Sequence, residues 1–229
     1  MTIHLHMLPP SVNNLTVRVF LRAAGLQFTE ENAWGKTRTP EFMKKIPAHL
    51  TPAIESAEHP RGAMWESCAI MMYLANKHRL EVLYPSDPGR RSLVDAANFY
   101  LTGTVYPLVV RSVYPRLGFP CYPGEVAATD GATDDLKQVA RSASEEALAE
   151  PLEVFHTYFV RDGFIGDGEG PSIADIRLAC SLEFLAMNDT ALPRWAQDYL
   201  GRVEKALGKA YSEPAADVRG FIAQSKSRG

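Results

Sequence analysis

The feature that most limits what this chain can become is its opening. Residues 3–7, IHLHM, alternate: Ile3, Leu5 and Met7 point one way and Thr2, His4 and His6 the other, the pattern of a half-buried strand. LPPSVNN breaks that strand. Leu15 to Ala24, LTVRVFLRAA, predicts a helix with Arg18 and Arg22 on one face and Gly25 as its left-handed stop. Gln27 to Asn32 predicts a second strand. Strand, helix and strand within about thirty residues make a βαβ unit, which demands parallel strands and a right-handed crossover.

The pattern then thins and changes. WGKTRTPEFMKKIP predicts a loop with a short helix at Glu41 to Lys45. Ala53 to Ser56 and Ala63 to Trp65 predict a small hairpin turned at HPRG. ESCAIMMYLANKH predicts a second good helix, with Ala69, Ile70, Tyr73 and Leu74 on its apolar side. LEVLYPSDPGRR, rich in proline and polar residues, marks a boundary. From Ser92 onward there are helices and no convincing strands: Ser92 to Val110 kinked at Pro107, Thr133 to Val160 kinked or broken at Pro151, Ser172 to Met187, and Ala191 to Leu207. PCYPGEVAATDGATDD reads as a loop. The expected organisation is an α/β domain over 1–80, a linker over 81–91 and an all-α domain over 92–229.

Charge and cysteines narrow the function classes. The formal net charge is -3 and both signs are interspersed, so no basic face for nucleic acid is expected. Cys68, Cys121 and Cys180 are odd in number, far apart, and without a CxxC, which argues against a disulfide framework or a zinc site. No metal is expected. The N-terminus is too short and polar for a secretory signal, and no apolar run approaches the roughly 20 residues of a membrane span. A cytoplasmic protein without a membrane partner is the expectation.

One stretch resists a simple reading. HLTPAIES, residues 49–56, places Pro52 inside a strand-like run, although proline cannot donate a ladder hydrogen bond. A cis bond there would turn the chain and leave the backbone of Thr51 to pair with something else; an ordinary trans proline at a sheet edge is the alternative.

Four stretches together resemble the cytosolic glutathione transferase family, in particular its theta-like and nu-like bacterial members. PPSVNNLTVRVFLRAAGL resembles the family's first strand-to-helix turn, IPAHLTPAIE its NPxGxVPAL segment, WESCAIMMYL its ESxAIxxYL helix start, and PSIADIRLAC its SxAD motif. The resemblance runs from Ile3 to about Leu207. It implies a thioredoxin-like domain followed by a helical domain, glutathione as co-substrate, a homodimer, and a cis Pro52 that frees the Thr51 backbone for the cysteinyl part of glutathione.

Several candidate roles follow from that resemblance, each with a plainer alternative. Ser67, at the start of a helix, would bind the γ-glutamyl carboxylate where unpaired N–H groups and the helix dipole favour an anion, and Glu66 would pair with the ammonium; a plain helix cap is the alternative. Ser11 would hold the glutathione thiolate by donating a hydrogen bond, with Asn13 the second candidate; local turn chemistry explains both residue types as well. The family's cation for the glycyl carboxylate is missing, since that position is Leu50, and the asparagine and glycine of the segment are Ile46 and His49. His49, Lys36 or Arg38 would have to replace it. Pro10, Tyr100, Thr104, Arg111 and Tyr114 would line a cleft for an apolar electrophile, unless Tyr100, Tyr106 and Tyr114 serve the core or a dimer. Arg111 would alternatively reach a glutathione carboxylate. Ser172 and Asp175 form a capping box ahead of an apolar helix, which implies a structural role, with Cys180 an inert core thiol. Three functions remain open: a transferase, a glutathione-dependent disulfide or peroxide reductase, and a non-catalytic binding module.

Overall fold

A computed structural model of the chain describes residues 2–117, 119 and 131–227. Of the loop expected over 120–135, residues 120–130, Cys121 among them, lie outside the described residues.

The expected βαβ unit is present. Strand β1 (Ile3–Met7) pairs in parallel with β2 (Phe28–Asn32), with His4 opposite Thr29 and His6 opposite Glu31. Helix α1 (Val12–Ala23) makes the crossover and begins three residues before the expected start. Helix α2 (Pro40–Lys45) is short and capped by Thr39. Strands β3 (Ala53–Glu55) and β4 (Ala63–Trp65) are antiparallel, and β3 runs antiparallel to β1, giving the order β2-β1-β3-β4. Helix α3 (Ser67–His78) follows β4 directly and ends on Arg79 in the left-handed conformation.

The alternation in β1 decides what each sheet face does. Leu5 is fully buried, with Ile3 and Met7 nearly so, in the same apolar cluster as Leu15, Val19 and Phe20 of α1 and Ile70 and Leu74 of α3. The opposite face carries His4 and His6. Beside it, Ala33, Phe42, Ile46, Ala53 and Ala63 form a small separate cluster that includes a side chain of α2.

Past β4 every described element is a helix: α4 (Pro88–Tyr100), α5 (Tyr106–Val113), α6 (Asp134–Ala147), α7 (Ala149–Val154), α8 (Ile173–Leu185), α9 (Arg194–Leu207) and α10 (Lys209–Lys226). Three details differ from the sequence reading. The helix expected from Ser92 starts at Pro88, because Asp87 caps it by accepting from the Arg90 N–H at 2.8 Å and proline suits a first-turn position. The kink expected at Pro107 is a π-helical stretch, Leu101–Val105, just before a residue with no N–H to donate. The break expected at Pro151 falls earlier, at Leu148, so that Pro151 sits in the first turn of α7. Helix α10 was not anticipated at all.

Helix α8 is buried at all of its positions and is central. Its capping box forms: Ser172 Oγ accepts from the Asp175 N–H at 3.4 Å, and Asp175 accepts from the Ser172 N–H at 2.7 Å. The continuous helical run Pro88–Leu117 is long and apolar enough to cross a membrane by length and composition. Its Val94, Ala97, Leu101, Val105, Val109 and Val113 are instead packed in the core.

Candidate functional site

Three chain turns meet at one edge of the sheet. The first is the β1–α1 turn. Ser11 is the N-cap of α1, in extended backbone, and its side chain makes no capping hydrogen bond. Its hydroxyl is therefore uncommitted beside the positive end of a helix. Pro10 precedes it, half-buried.

The second is the turn into β3. The Thr51–Pro52 peptide bond is cis. Asn14, fully buried on α1, holds this turn: its amide donates to Thr51 Oγ1 at 3.3 Å. Asn14 Oδ1 has no hydrogen-bond partner among the described residues. His49, where the resembling segment carries glycine, has a φ of 46°, in the left-handed region. Leu50 is 48% exposed, so it fills no role inside the turn.

The third is the start of α3. Ser67 is buried at its first position, and Glu66, the N-cap, is exposed with φ 72° and ψ 108°. A non-glycine residue held in a sparsely populated backbone region persists only where its surroundings over-determine it. Cys68 lies 3.6 Å from Asn98 Oδ1 and from Thr102 Oγ1, so its thiol faces α4 and the helical domain.

Other expected residues are placed differently. Asn13 Oδ1 accepts from Arg177 Nη1 of α8, which ties α1 to the helical domain. Arg177 is among the largest fully buried side chains, and its guanidinium lies 5.0 Å from the centre of the Tyr106 ring. Lys36 pairs with Glu31 at 2.7 Å, which commits its charge to β2, whereas Arg38 is exposed ahead of α2. The Tyr106 and Tyr114 hydroxyls are 3.3 Å apart, and Tyr114 packs on Phe119 at 5.2 Å, which packs on Trp34 at 5.9 Å. This aromatic run links α5 to the loop after β2. Thr104 and Arg111 are half-buried on the same long helix. Tyr100 packs instead on Phe155 at 5.7 Å and Phe159 at 6.3 Å, inside the helical domain.

Asp175 and Cys180 behave as core groups. Asp175 is fully buried and accepts from Ser172 Oγ at 2.6 Å, Tyr199 Oη at 2.5 Å and the Ile165 N–H at 3.0 Å. Burial pushes its carboxyl up to about 6, against those donors, which pull the other way. Burial also pushes the Cys180 thiol up, away from the reactive thiolate form.

The fold has counterparts among known proteins. Residues 1–76 match the family described as glutathione S-transferase, N-terminal domain. That match covers the first third of the chain, its α/β part. A Bombyx mori glutathione transferase, BmGSTD1, aligns with 98% of this chain and 98% of its own at 23% identity and a TM-score of 0.75. Glutathione transferase E6 from Drosophila melanogaster aligns with 98% of this chain and 96% of its own at 25% identity and a TM-score of 0.72. Human glutathione transferase theta-2, in a structure with glutathione, aligns with 99% of this chain and 91% of its own at 20% identity and a TM-score of 0.75. The fold of these relatives is therefore shared along nearly the whole chain.

Sequence reasoning missed Asn14, Arg177, Tyr106 as a site neighbour, and Trp34. Arg177 carried a signal, a charged residue inside a mostly apolar helical run, which is sustained in a core only by specific partners; Asn14 carried none, because the sequence placed it in the turn ahead of the helix.

Proposed function

We propose that the chain is a glutathione transferase in which Ser11 activates the thiol. The observation that carries this reading is the Ser11 side chain, uncommitted at the N-cap of α1. Its oxygen is not tied to a backbone N–H of its own helix, so the hydroxyl is free to turn toward a ligand and to donate its hydrogen there. It donates to the thiolate, and the α1 N-terminus adds a favourable field, so the thiol loses its proton more readily than at its usual value near 8.5. The thiolate then attacks an electrophilic carbon, forming the S–C bond as a halide departs with the bonding electrons or a polarised double bond takes them up.

The rest of the tripeptide is held by the other two turns. Thr51 offers its N–H and C=O to the cysteinyl unit as an added strand would. Ser67 and the first N–H groups of α3 take the γ-glutamyl carboxylate, and Glu66 takes the ammonium. His49 is the nearest replacement for the absent glycyl-carboxylate cation, with Arg38 second, because Lys36 is already paired to Glu31. Pro10, Thr104, Arg111 and Tyr114 border the electrophile, with Tyr106 beside them. Asn13 serves as a tie to Arg177 rather than as the activating group. The protein is a cytoplasmic homodimer in this reading.

Calorimetric titration with reduced and then oxidised glutathione, followed by conjugation assays on Ser11→Ala, tests it. Saturable binding of the reduced form is expected, with Ser11→Ala lowering kcat by about 10²–10³ and leaving affinity within a few-fold. Unchanged kcat in Ser11→Ala removes Ser11 from its role. Much tighter binding of oxidised glutathione transfers the assignment to disulfide reduction. Binding of neither form makes the chain a binding module, with Leu50 in the cation's place as the reason.

A further inference from the structure

The sheet face opposite the main core carries chemistry that the glutathione reading does not use. Strand alternation sends His4 and His6 to that face, and the parallel register sets Thr29 beside His4 and Glu31 beside His6. The antiparallel register brings Glu55 of β3 opposite His4. His6 is buried, His4 and Glu31 are partly exposed, and His6 and Glu31 line a cavity of about 200 Å³ bounded by Lys36, Phe42, Lys45 and Glu55.

Each histidine has one ring nitrogen fixed by the protein. His4 Nδ1 is 2.8 Å from Thr29 Oγ1, and His6 Nε2 is 2.7 Å from Glu55 Oε1. The two remaining nitrogens point to the same atom: His4 Nε2 is 3.1 Å and His6 Nδ1 3.3 Å from Glu31 Oε2. A neutral imidazole carries a single N–H. When His6 gives that hydrogen to Glu55 and His4 gives its own to Thr29, two nitrogen lone pairs converge on a carboxylate oxygen. Lone pairs facing one another repel; a cation between them converts the repulsion into coordination.

We infer that His4 Nε2, His6 Nδ1 and Glu31 Oε2 form a binding site for a divalent metal ion of the zinc class. The three ligand atoms lie within 4.8 Å of one another. Bonds of about 2.0–2.1 Å arranged tetrahedrally put ligand atoms roughly 3.3 Å apart, which two of the three separations already match. The chemistry selects the metal. Two imidazoles and one carboxylate suit zinc and its borderline neighbours; calcium and magnesium prefer all-oxygen sets, and neither Cys68 nor Cys180 belongs to the cluster to favour a soft ion. Three protein ligands leave a fourth position, open for water beside the cavity.

The surroundings resemble those of a built metal site. Glu55, which only accepts, holds His6 in the orientation and tautomer that ligation requires, and Thr29 orients the His4 ring and can accept its Nδ1–H. Lys45 in turn fixes Glu55 at 2.9 Å, and Lys36 holds the second oxygen of Glu31 at 2.7 Å. A bound ion would clamp β1 to β2 on the side covered by α2. The inference stands on this cluster alone and does not depend on glutathione binding.

The test uses the full untagged chain, freed of metal by chelator and then titrated with Zn²⁺ by calorimetry and with Co²⁺ by visible absorption. One equivalent of zinc is expected to bind, the thermal midpoint to rise with zinc, and cobalt to give the strong visible bands of a four-coordinate ion. His4→Ala and Glu31→Gln are each expected to weaken zinc at least tenfold and remove the cobalt bands, while circular dichroism stays native. Thr29→Val should weaken zinc roughly 10- to 100-fold through ring orientation alone. Lys36→Met, which removes a neighbouring positive charge, should tighten it. Absence of saturable binding at submillimolar free zinc overturns the site. So does binding whose affinity and spectrum are the same in His4→Ala and Glu31→Gln as in the parent chain.

Discussion

At the scale of single residues, the most informative positions are those where a side chain sits against its usual preference. His49 has a positive φ, which costs an L-residue roughly 1–2 kcal/mol relative to glycine. The resembling segment places glycine there, and the structure gives the backbone reason. His49→Gly therefore relieves strain while deleting the proposed carboxylate partner. The expected outcome is a thermal midpoint equal to or above the parent's with glutathione binding weakened; a lowered midpoint with unaltered binding would mean that the imidazole serves packing. Asp175 makes a second case. Its carboxyl is fully buried and pushed up to about 6 from an ordinary value of 3.8. A carboxyl whose folded value is raised contributes stability that is fully present below the unfolded value and is lost as pH rises through the folded one. The loss falls between about pH 4 and pH 6 and amounts to roughly 3 kcal/mol at most. Asp175→Asn lacks this titration and disrupts the acceptor set for Ser172, Tyr199 and Ile165, so it is less stable than the parent at all pH values, by about 2–4 kcal/mol. The gap should narrow from pH 4.5 to pH 7 in urea denaturation. A constant gap would show that the hydrogen bonds from its four donors outweigh burial.

At the scale of elements, what could be read in advance was whatever depends on local periodicity. The period-two pattern of β1, the helix of α1 with Gly25 behind it, the hairpin of β3 and β4 and the S-x-x-D box of α8 all declare themselves within a few residues. Elements whose form is decided by distant partners do not. Pro88 and Gly89 look like breakers, yet Asp87 caps them into the first turn of α4. Helix α10 contains Pro214, Gly208 precedes it, and its apolar positions are sparse, so no strong periodic signal marks it. It forms because Tyr211, Ala215, Val218 and Ile222 find the core, and because Arg18 of α1 meets Asp217 at 2.8 Å. The site divides in the same way. Pro52, Ser67 and Ser11 were legible from motifs, whereas Asn14 and Arg177 matter through contacts that join distant segments. Tyr211 tests how firmly α10 is held. Its hydroxyl donates to Glu183 Oε1 of α8 at 3.1 Å in a buried setting. Tyr211→Phe removes one donor from a carboxylate that Arg219 also serves, and an expected cost of about 1–2 kcal/mol follows. Guanidinium unfolding measures it; no change would mean that Arg219 alone satisfies Glu183.

At the scale of the whole molecule, one apolar cluster runs from Ile3 through α1 and α8 to Ile222, so the α/β part and the helical part share a core and should unfold together. Outside that core, one large side chain is conspicuous. Phe99 is 70% exposed on α4. Ser92, Ala96 and Gly103 are exposed at helical spacing around it, so an aromatic ring stands on a stripe of small residues. Small neighbours let another surface approach closely, and a lone exposed aromatic ring gains by being covered. A two-fold pair of chains would present the same stripe from both sides, since the same patch meets itself across such an axis. Light scattering during gel filtration is expected to give twice the 25.3 kDa of one chain. Phe99→Asp, which sets two like charges near the axis, is expected to give the monomer with helical content retained. A parent protein that elutes as a single chain ends the homodimer proposal; a Phe99→Asp variant that remains dimeric moves the interface elsewhere and leaves Phe99 without an assigned role.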